Sequence, residues 1–201
     1  MGSSALAAIA VVISYFIGNI SPSILLSKML GGDDIRNHGS GNAGTTNMLR
    51  VYGKKFAAIT LIIDVLKGLC GYWVGAAAGV PYLCVVAVVI GHIWPVCFGF
   101  RGGKGIATCL GALLGVNWKM ALILLGIAAI FFVTTRYISL GSIVAAVAAP
   151  ILSIWFERGF VIYAAVLAAI VIYKHKDNIV RLMNHTESKV GQHAKKEDDK
   201  K

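Results

Sequence analysis

The sequence predicts an all-α fold, a polytopic membrane helix bundle with about seven transmembrane helices, some of them short, the N-terminus outside and the C-terminus cytoplasmic. First, 57% of the 201 residues are hydrophobic and the mean hydropathy is +0.75, whereas soluble domains contain roughly 45–50% apolar residues. Second, the apolar residues are collected in runs that short polar joints separate. Third, the basic residues concentrate in alternate joints, as the positive-inside rule predicts.

The apolar runs predict the helices in chain order. The first covers residues 5–20, and Asn19 and Ser21-Pro22 end or kink it, because proline cannot donate a helical hydrogen bond. The later runs cover residues 56–78, 82–95, a short segment ending at 116, and residues 120–134, 138–156 and 160–173. Asn117-Trp118-Lys119 is expected to form a turn. Several runs are shorter than the ~20 residues that a helix needs to cross the hydrocarbon.

The orientation follows from the basic residues. An outside N-terminus places most of them in cytoplasmic joints and in the C-terminal segment; those in the joints are Arg36, Arg50, Lys54, Lys55, Arg101, Lys104 and Arg136. The outer joints keep Lys119 and Arg158. The net charge of +10 is then explained by orientation and by anionic lipid or phosphate, so no nucleic-acid partner is predicted.

One integral-membrane domain is predicted for residues 1–190, with the first run a retained span rather than a removed signal peptide. Residues 191–201 are charged and have no apolar face, which predicts a disordered cytoplasmic tail. The cysteines Cys70, Cys84, Cys97 and Cys109 lie in apolar runs without a Cys-x-x-Cys pair and are interpreted as packing residues. Hard acidic ligands are missing from the polar stretches, so neither a metal nor a cofactor is predicted.

The first polar stretch runs from Ser40 to Arg50 and is interrupted by glycines, including Gly41. Ser40, Asn42, Thr46 and Asn47 offer neutral hydrogen-bonding groups there, and they precede a guanidinium. The guanidinium of Arg50 is a planar charged fork suited to phosphate. An ordinary polar loop between two spans is the alternative interpretation.

The second polar stretch contains Gly91-His92-Ile93-Trp94-Pro95 and then Gly102-Gly103-Lys104-Gly105. It is not a nucleotide-binding P-loop, because Gly105 stands where a magnesium-binding Ser or Thr would be needed. Adjacent glycines open the backbone, Lys104 is a point charge, and a helix beginning near Gly105 would present its N-terminal amides to an anion. The alternative is a loop whose Arg101 and Lys104 lie at the lipid headgroups.

The third polar stretch begins where the last apolar run ends. His175 and Asn178 are three residues apart and share one face if helical, and Asn184-His185-Thr186-Glu187 follows. Within the second run, Asp64 and Lys67 have the same spacing and are interpreted as a structural ion pair, because ionisable groups in a span usually pair.

Together the three stretches resemble the bacterial integral-membrane glycerol-3-phosphate acyltransferases that use acyl-phosphate as donor. The matching motifs are Ser-Gly-Asn-x-Gly-x-Thr-Asn-x-x-Arg at 40–50, Gly-His-x-x-Pro at 91–95, Gly-Gly-Lys-Gly-x-Ala-Thr at 102–108, and His-x-x-Asn-Ile at 175–179 with Thr-Glu-x-Lys at 186–189. The family often has a glycine before Thr-Glu, where this chain has His185.

The resemblance implies acyl transfer from acyl-phosphate to the 1-hydroxyl of sn-glycerol 3-phosphate. The products would be lysophosphatidate and inorganic phosphate, in the first step of bacterial phospholipid synthesis. A monomeric enzyme in the bacterial inner membrane is expected, with its active site at the cytoplasmic face and no acyl-enzyme. A transporter of a phosphorylated solute is the alternative.

The expected site residues follow from the motifs. Arg50 and Lys104 would bind phosphate, and His175 would act either as a base oriented by Asn178 or as a phosphate ligand. The remaining substrate-binding candidates are Ser40, Gly41, Asn42, Thr46, Asn47, Gly102, Gly103, Gly105, Ser142, His185 and Glu187.

Overall fold

The computed structural model describes residues 3–189, and within this range it contains helices and no strands. The α-helices are α1 (Ser3–Asn19), α2 (Pro22–Gly31), α3 (Thr45–Val51), α4 (Lys54–Ala77), α5 (Pro81–Ile93), α6 (Ile106–Thr135), α7 (Ile138–Phe156), α8 (Val161–Lys174) and α9 (Lys176–Met183). The predicted all-α class is therefore confirmed. The predicted tail, 191–201, lies outside the described residues.

Small residues allow the helices to approach one another closely. A Cβ atom at Gly111 of α6 would lie 1.8 Å from the carbonyl oxygen of Val65 in α4, and one at Gly141 of α7 would lie 2.4 Å from that of Ala128. Such distances leave no room for any side chain. These two glycines therefore bring α6 into close contact with α4 and with α7.

Helix α6 is broken at Asn117, where the predicted turn lies. The backbone of Asn117 is extended (φ −158°, ψ 104°), and its Oδ1 accepts the N–H of Met120 at 3.1 Å, as in an N-cap. Ile106 before the break and Ala128 after it line one cavity, although a straight helix would separate them by about 33 Å. The two arms of α6 therefore fold back on each other.

The helices are long and apolar enough for an integral membrane protein. Among the described residues, five segments could cross a membrane by length and composition, or six if α8 and α9, bent by 59°, count as one. This tally treats α6 as one span despite its break at Asn117, which separates two of the predicted runs. The count of about seven and the orientation of the termini stay predictions.

The apolar core joins α5, α6, α7 and α8. Val88 and Val89 of α5 are fully buried and pack with Ala112 of α6 and Phe160 at the start of α8. Of the cysteines, Cys84 is buried, Cys109 is half-buried, and Cys70 and Cys97 are exposed. A second cluster around Ile24, Ile35 and Met48 fixes the first polar loop against the bundle.

Candidate active site

The three polar stretches meet in one pocket. Its polar lining includes Ser40, Asn42, Thr45, Thr46, Asn47, Arg50, Asp64, His92, Lys104, Ser139, Ser142, His175, Asn178 and Glu187. These residues are up to 147 positions apart in sequence, from Ser40 to Glu187. The polar ends of the helices therefore form a single site and not a set of independent loops.

Backbone pairing holds the loop that carries Lys104. The N–H of Gly102 donates to Ile93 O at 3.1 Å, and that of Gly103 donates to His92 O at 3.2 Å. A Cβ at Gly103 would lie 2.2 Å from His92 Nε2, so only glycine leaves room here. These two amides are already bonded and are not free for an anion, which differs from the role predicted for Gly102 and Gly103. Their glycines serve the close approach of the loop to the end of α5.

The start of α6 keeps its predicted place beside the pocket. Gly105 precedes the helix in a left-handed conformation (φ 87°), and no side chain caps the first turn. Gly105, Ile106 and Ala107 all line the pocket. Because the first amides of a helix have no partner within it, this end of α6 can bind an anion.

A network of side chains holds the ammonium group of Lys104. Lys104 Nζ donates to Asn178 Oδ1, and Asn178 Nδ2 donates to Glu187 Oε1 at 2.7 Å. The same Oε1 accepts from Ser139 Oγ at 2.7 Å, and Oε2 accepts from Arg181 Nε at 2.7 Å. The third polar stretch thus connects to the second through Asn178.

Burial and neighbouring charge set the protonation of this network. Burial lowers the pKa of Lys104 to about 8, and the cations of Arg181 and Arg50 also lower it, while Glu187 raises it. Burial raises the pKa of Glu187, but the hydrogen bonds from Ser139, Arg181 and Asn178 outweigh burial and hold it below the usual value. The carboxylate of Glu187 is therefore charged near neutral pH, and the pKa of Lys104, about 8, lies just above neutral pH.

His175 has one ring nitrogen committed and one available. Its Nδ1 lies 2.8 Å from Val171 O, and since a carbonyl can only accept, Nδ1 carries the proton. The other nitrogen, Nε2, is then an acceptor in the neutral ring. His175 is 3% exposed and shares the pocket with Asn178, as the three-residue spacing predicted.

The amide of Asn47 organises the first polar loop. Its Oδ1 accepts the N–H of Ser40 at 2.9 Å, and its Nδ2 donates to Ile35 O at 3.1 Å and to His38 O at 2.9 Å. Because these three hydrogen bonds occupy the side-chain amide, Asn47 stabilises the loop that carries Ser40 and leads to Arg50. Arg50 is exposed and lines the pocket from α3.

The predicted ion pair of Asp64 and Lys67 is present and buried. Lys67 Nζ lies 2.7 Å from Asp64 Oδ1 and donates to Ile20 O at 2.6 Å. His92 joins the pair, its Nδ1 lying 2.8 Å from Lys67 Nζ and 3.3 Å from Asp64 Oδ1. The backbone carbonyl of His92 accepts the N–H of Gly103, so this cluster connects α4 to the loop that carries Lys104.

Comparison with known proteins decides the family. The sequence profile described as glycerol-3-phosphate acyltransferase matches residues 8–185. The glycerol-3-phosphate acyltransferase of Clostridioides difficile (strain 630) is 45% identical over 194 residues, with 92% of this chain and 95% of that protein covered. That of Citrobacter koseri is 40% identical over 201 residues, with 98% of each covered. This chain belongs to the glycerol-3-phosphate acyltransferase family.

Solved structures agree with this assignment. The chain is similar to the crystal structure of PlsY (YgiH), an integral membrane glycerol 3-phosphate acyltransferase, in its glycerol 3-phosphate form, with a TM-score of 0.87 and 35% identity, covering 92% of this chain and 96% of that one. The lysophosphatidic acid form gives 0.85 and 34%, covering 92% and 95%. The resemblance in the motifs is confirmed, and an enzyme is shown in place of the transporter alternative.

Some predicted residues of the acyltransferase lie outside the pocket. Gly41 and His185 are exposed and do not line it. Gly102 and Gly103, whose amides are bonded to α5, do not line it either. His185 has a left-handed backbone (φ 57°), at the place where glycine is frequent in the family. Arg181 and Ser139 were not predicted as site residues, although both bond to Glu187. Their contacts with Glu187 arise from the tertiary fold, so their positions in the sequence alone did not indicate a role in the site.

An apolar cavity continues from the polar pocket of the acyltransferase. Ile106, Leu110, Leu125 and Ser142 line both. The Oγ of Ser142 donates to Ile138 O at 3.0 Å, within its own helix. Away from Ser142 the cavity walls are apolar side chains of α6, α7 and α8. The site therefore has a charged end and an apolar end that meet at Ser142.

Proposed function

We propose that this acyltransferase transfers an acyl group from acyl-phosphate to the 1-hydroxyl of sn-glycerol 3-phosphate, giving lysophosphatidate and inorganic phosphate. The observation that carries the proposal is the continuity of a cationic pocket with an apolar cavity, since the donor has a phosphate head and an acyl tail. The glycerol 3-phosphate and lysophosphatidic acid forms of the PlsY relative support the same acceptor and product. The reaction would begin phospholipid synthesis.

Direct transfer without an acyl-enzyme is supported by the hydroxyl groups of the pocket. Ser139 Oγ donates to Glu187 and Ser142 Oγ donates to Ile138 O, so their protons are engaged away from His175. An enzymatic nucleophile needs a hydrogen bond to a base, and no hydroxyl or thiol among the described lining residues bonds to His175. Glu187, which accepts from Ser139, is a weak base, because its bonds from Asn178 and Arg181 help to hold its pKa below the usual value. Acyl-phosphate already has a good leaving group, so positioning and charge stabilisation can supply most of the rate enhancement.

In the proposed step the acceptor 1-oxygen attacks the carbonyl carbon of the donor. The carbon–oxygen bond to phosphate breaks, and inorganic phosphate leaves with the electron pair. The hydroxyl proton passes either to His175 Nε2 or to a phosphate oxygen. Lys104 and Arg50 would hold the phosphates, and the first amides of α6 add a third positive element beside them.

The location of the site supports a cytoplasmic active site in the inner membrane of a bacterium. Arg36, Arg50, Arg101 and Lys104 belong to the joints that the positive-inside rule assigns to the cytoplasm. The Arg36 guanidinium connects two of these joints, because it donates to Phe98 O and Arg101 O. Glycerol 3-phosphate is soluble and would enter from this side, while the donor would enter from the bilayer. We propose that one chain is sufficient, because a single chain supplies every group named.

The test uses purified protein in lipid with radiolabelled glycerol 3-phosphate and either acyl-phosphate or acyl-CoA. Lysophosphatidate and an equal amount of phosphate are expected from acyl-phosphate alone. Transfer from acyl-CoA alone would overturn the donor assignment. In His175→Ala, a fall in kcat at unchanged KM supports the base, whereas a rise in KM for glycerol 3-phosphate alone supports a phosphate ligand.

A further inference from the structure

The apolar cavity extends away from the polar pocket as far as Phe160. Three elements run from the polar end toward this far end: the first arm of α6 from Ile106 to Leu113, α7 from Ser142 to Ala149, and α8 from Val171 back to Phe160. Phe160 is fully buried and lines the cavity at the start of α8. Its ring is therefore the part of the α8 wall that lies deepest in the cavity.

Neighbouring side chains hold the ring of Phe160 in place. The Phe160 ring is stacked with that of Tyr163 (centroids 6.3 Å apart, 11° between planes) and tilted against that of Tyr82 (5.4 Å, 58°). The hydroxyl of Tyr82 donates to Glu157 Oε1 at 2.8 Å. Because these contacts come from α5, α8 and the joint before α8, the ring cannot move aside without breaking several of them.

The turn in α6 lies at the same end. Asn117 Nδ2 donates to Phe156 O at 3.1 Å, so the break in α6 is bonded to the last residue of α7. Phe156 lies four residues before Phe160 in the sequence. This end of the cavity is therefore held by the hydrogen bond between α6 and α7 as well as by the packed ring of Phe160.

We propose that Phe160 is a specificity-determining residue that sets the longest acyl chain the enzyme accepts. The proposal rests on the proposed transfer of an acyl group held in this cavity. The occupant is the acyl chain of the donor, because the cavity is apolar and opens into the pocket that holds the phosphate-binding groups. A chain that reaches the ring has no further space along the cavity.

The length of the α8 wall from the polar end to Phe160 gives the chain length at which the limit falls. At about 1.5 Å per residue, Val171 lies about 16 Å from Phe160 along α8, and His175 about 22 Å. An extended chain advances about 1.25 Å per carbon, from bonds of about 1.52 Å and angles near 111°. The limit therefore falls between about 13 and 18 carbons, the range that contains myristoyl and palmitoyl chains.

Selectivity arises from the far end and not from added burial. The donor chain comes from the bilayer, which is as apolar as the cavity, so each carbon that fits changes kcat/KM little. A longer chain must bend or force the walls apart, and overpacking of this kind lowers kcat/KM by roughly 5- to 150-fold. The wild-type profile is expected to be flat up to the limit and then to fall steeply.

The test compares kcat/KM for lauroyl, myristoyl, palmitoyl, stearoyl and arachidoyl phosphate at saturating glycerol 3-phosphate. In Phe160→Ala or the milder Phe160→Leu, the limit should move to chains longer by about two to four carbons, the length of the removed ring. In Ala149→Leu, which fills the cavity from α7, the limit should move to shorter chains. The opposite directions separate a steric limit from general loss of stability.

Two variants serve as matched controls. Phe131→Ala removes the same ring from α6, and Val147→Leu enlarges a side chain on α7; both positions are exposed and neither lines the cavity. Both should keep the wild-type profile. Unchanged chain-length limits in Phe160→Leu and Ala149→Leu would overturn the proposal, as would a shift in the controls. No turnover of any acyl-phosphate by wild type would instead refute the proposed donor.

Discussion

The protonation of Lys104 should control the alkaline limit of this enzyme. The free ammonium has a pKa of about 8 because burial and the cations of Arg181 and Arg50 disfavour the charged form. Only the charged form can bind a phosphate as a cation. We therefore expect kcat/KM for glycerol 3-phosphate to fall as the pH rises through about 8, since this parameter reports the free enzyme.

The size of the effect follows from the titration of one group. Above the pKa, kcat/KM should fall by roughly tenfold per pH unit, because the charged fraction falls by that factor. A bound phosphate stabilises the ammonium and raises its pKa, so kcat at saturating substrate should fall at a higher pH than kcat/KM. In Lys104→Arg the guanidinium stays charged throughout, so the profile should lose this fall, even though the absolute rate is lower.

The assay measures phosphate release from acyl-phosphate at low glycerol 3-phosphate across the alkaline range. Reactions without acceptor correct for hydrolysis of the donor. Lys119→Arg, the same change in the turn that follows Asn117, is the control and should keep the wild-type fall. A wild-type profile that stays flat well above pH 8, or the same fall in Lys104→Arg, would refute the reasoning.

Three further predictions concern the network and the backbone. Glu187→Gln should lower kcat/KM by about 10- to 100-fold, since it weakens charge-assisted hydrogen bonds. It should also move the alkaline fall to lower pH, because the Glu187 carboxylate normally raises the pKa of Lys104 and its loss lowers that pKa; a pH profile that does not move would contradict this. Asp64→Asn should destabilise the protein by about 3–5 kcal/mol, because Lys67 stays buried without its partner, and thermal unfolding in detergent measures this; Asp64→Leu with Lys67→Met should recover part of the loss. His185→Gly should stabilise by about 0.5–1 kcal/mol, as the left-handed backbone at φ 57° costs histidine more than glycine, and a lowered unfolding temperature would disprove this.

Much of the fold could be predicted because its signals are local. Runs of apolar residues locate membrane helices without knowledge of their partners, and the turn near Asn117 was visible as a short polar interruption. Asp64 and Lys67 could be paired because they lie three residues apart in one helix. The number of spans could not be fixed in this way, since the length of a run does not reveal whether a helix folds back at its end.

The candidate site could be predicted as a set of residues but not as a set of bonds. The spacing paired His175 with Asn178, the resemblance to the acyltransferase family added Lys104, and the structure brings all three to one pocket. The sequence could not reveal that the amides of Gly102 and Gly103 donate to carbonyls of α5, nor that Ser139 donates to Glu187. These bonds join segments far apart in sequence, and only tertiary packing decides them.

The backbone pairing between the Lys104 loop and the end of α5 has a consequence for sequence drift in this family. The two hydrogen bonds of Gly102 and Gly103 run between peptide groups, so they do not depend on the side chains in positions 96–101. Apart from Gly99, whose left-handed backbone (φ 66°) favours glycine, substitutions there should be tolerated, whereas an inserted or deleted residue shifts the following chain by up to about 3.5 Å. A shift of that size would remove the lysine from Asn178. We therefore expect the number of residues in the segment 96–101 to be under stronger selection than the identity of most of them, whereas Gly102 and Gly103 are fixed by their close approach to α5.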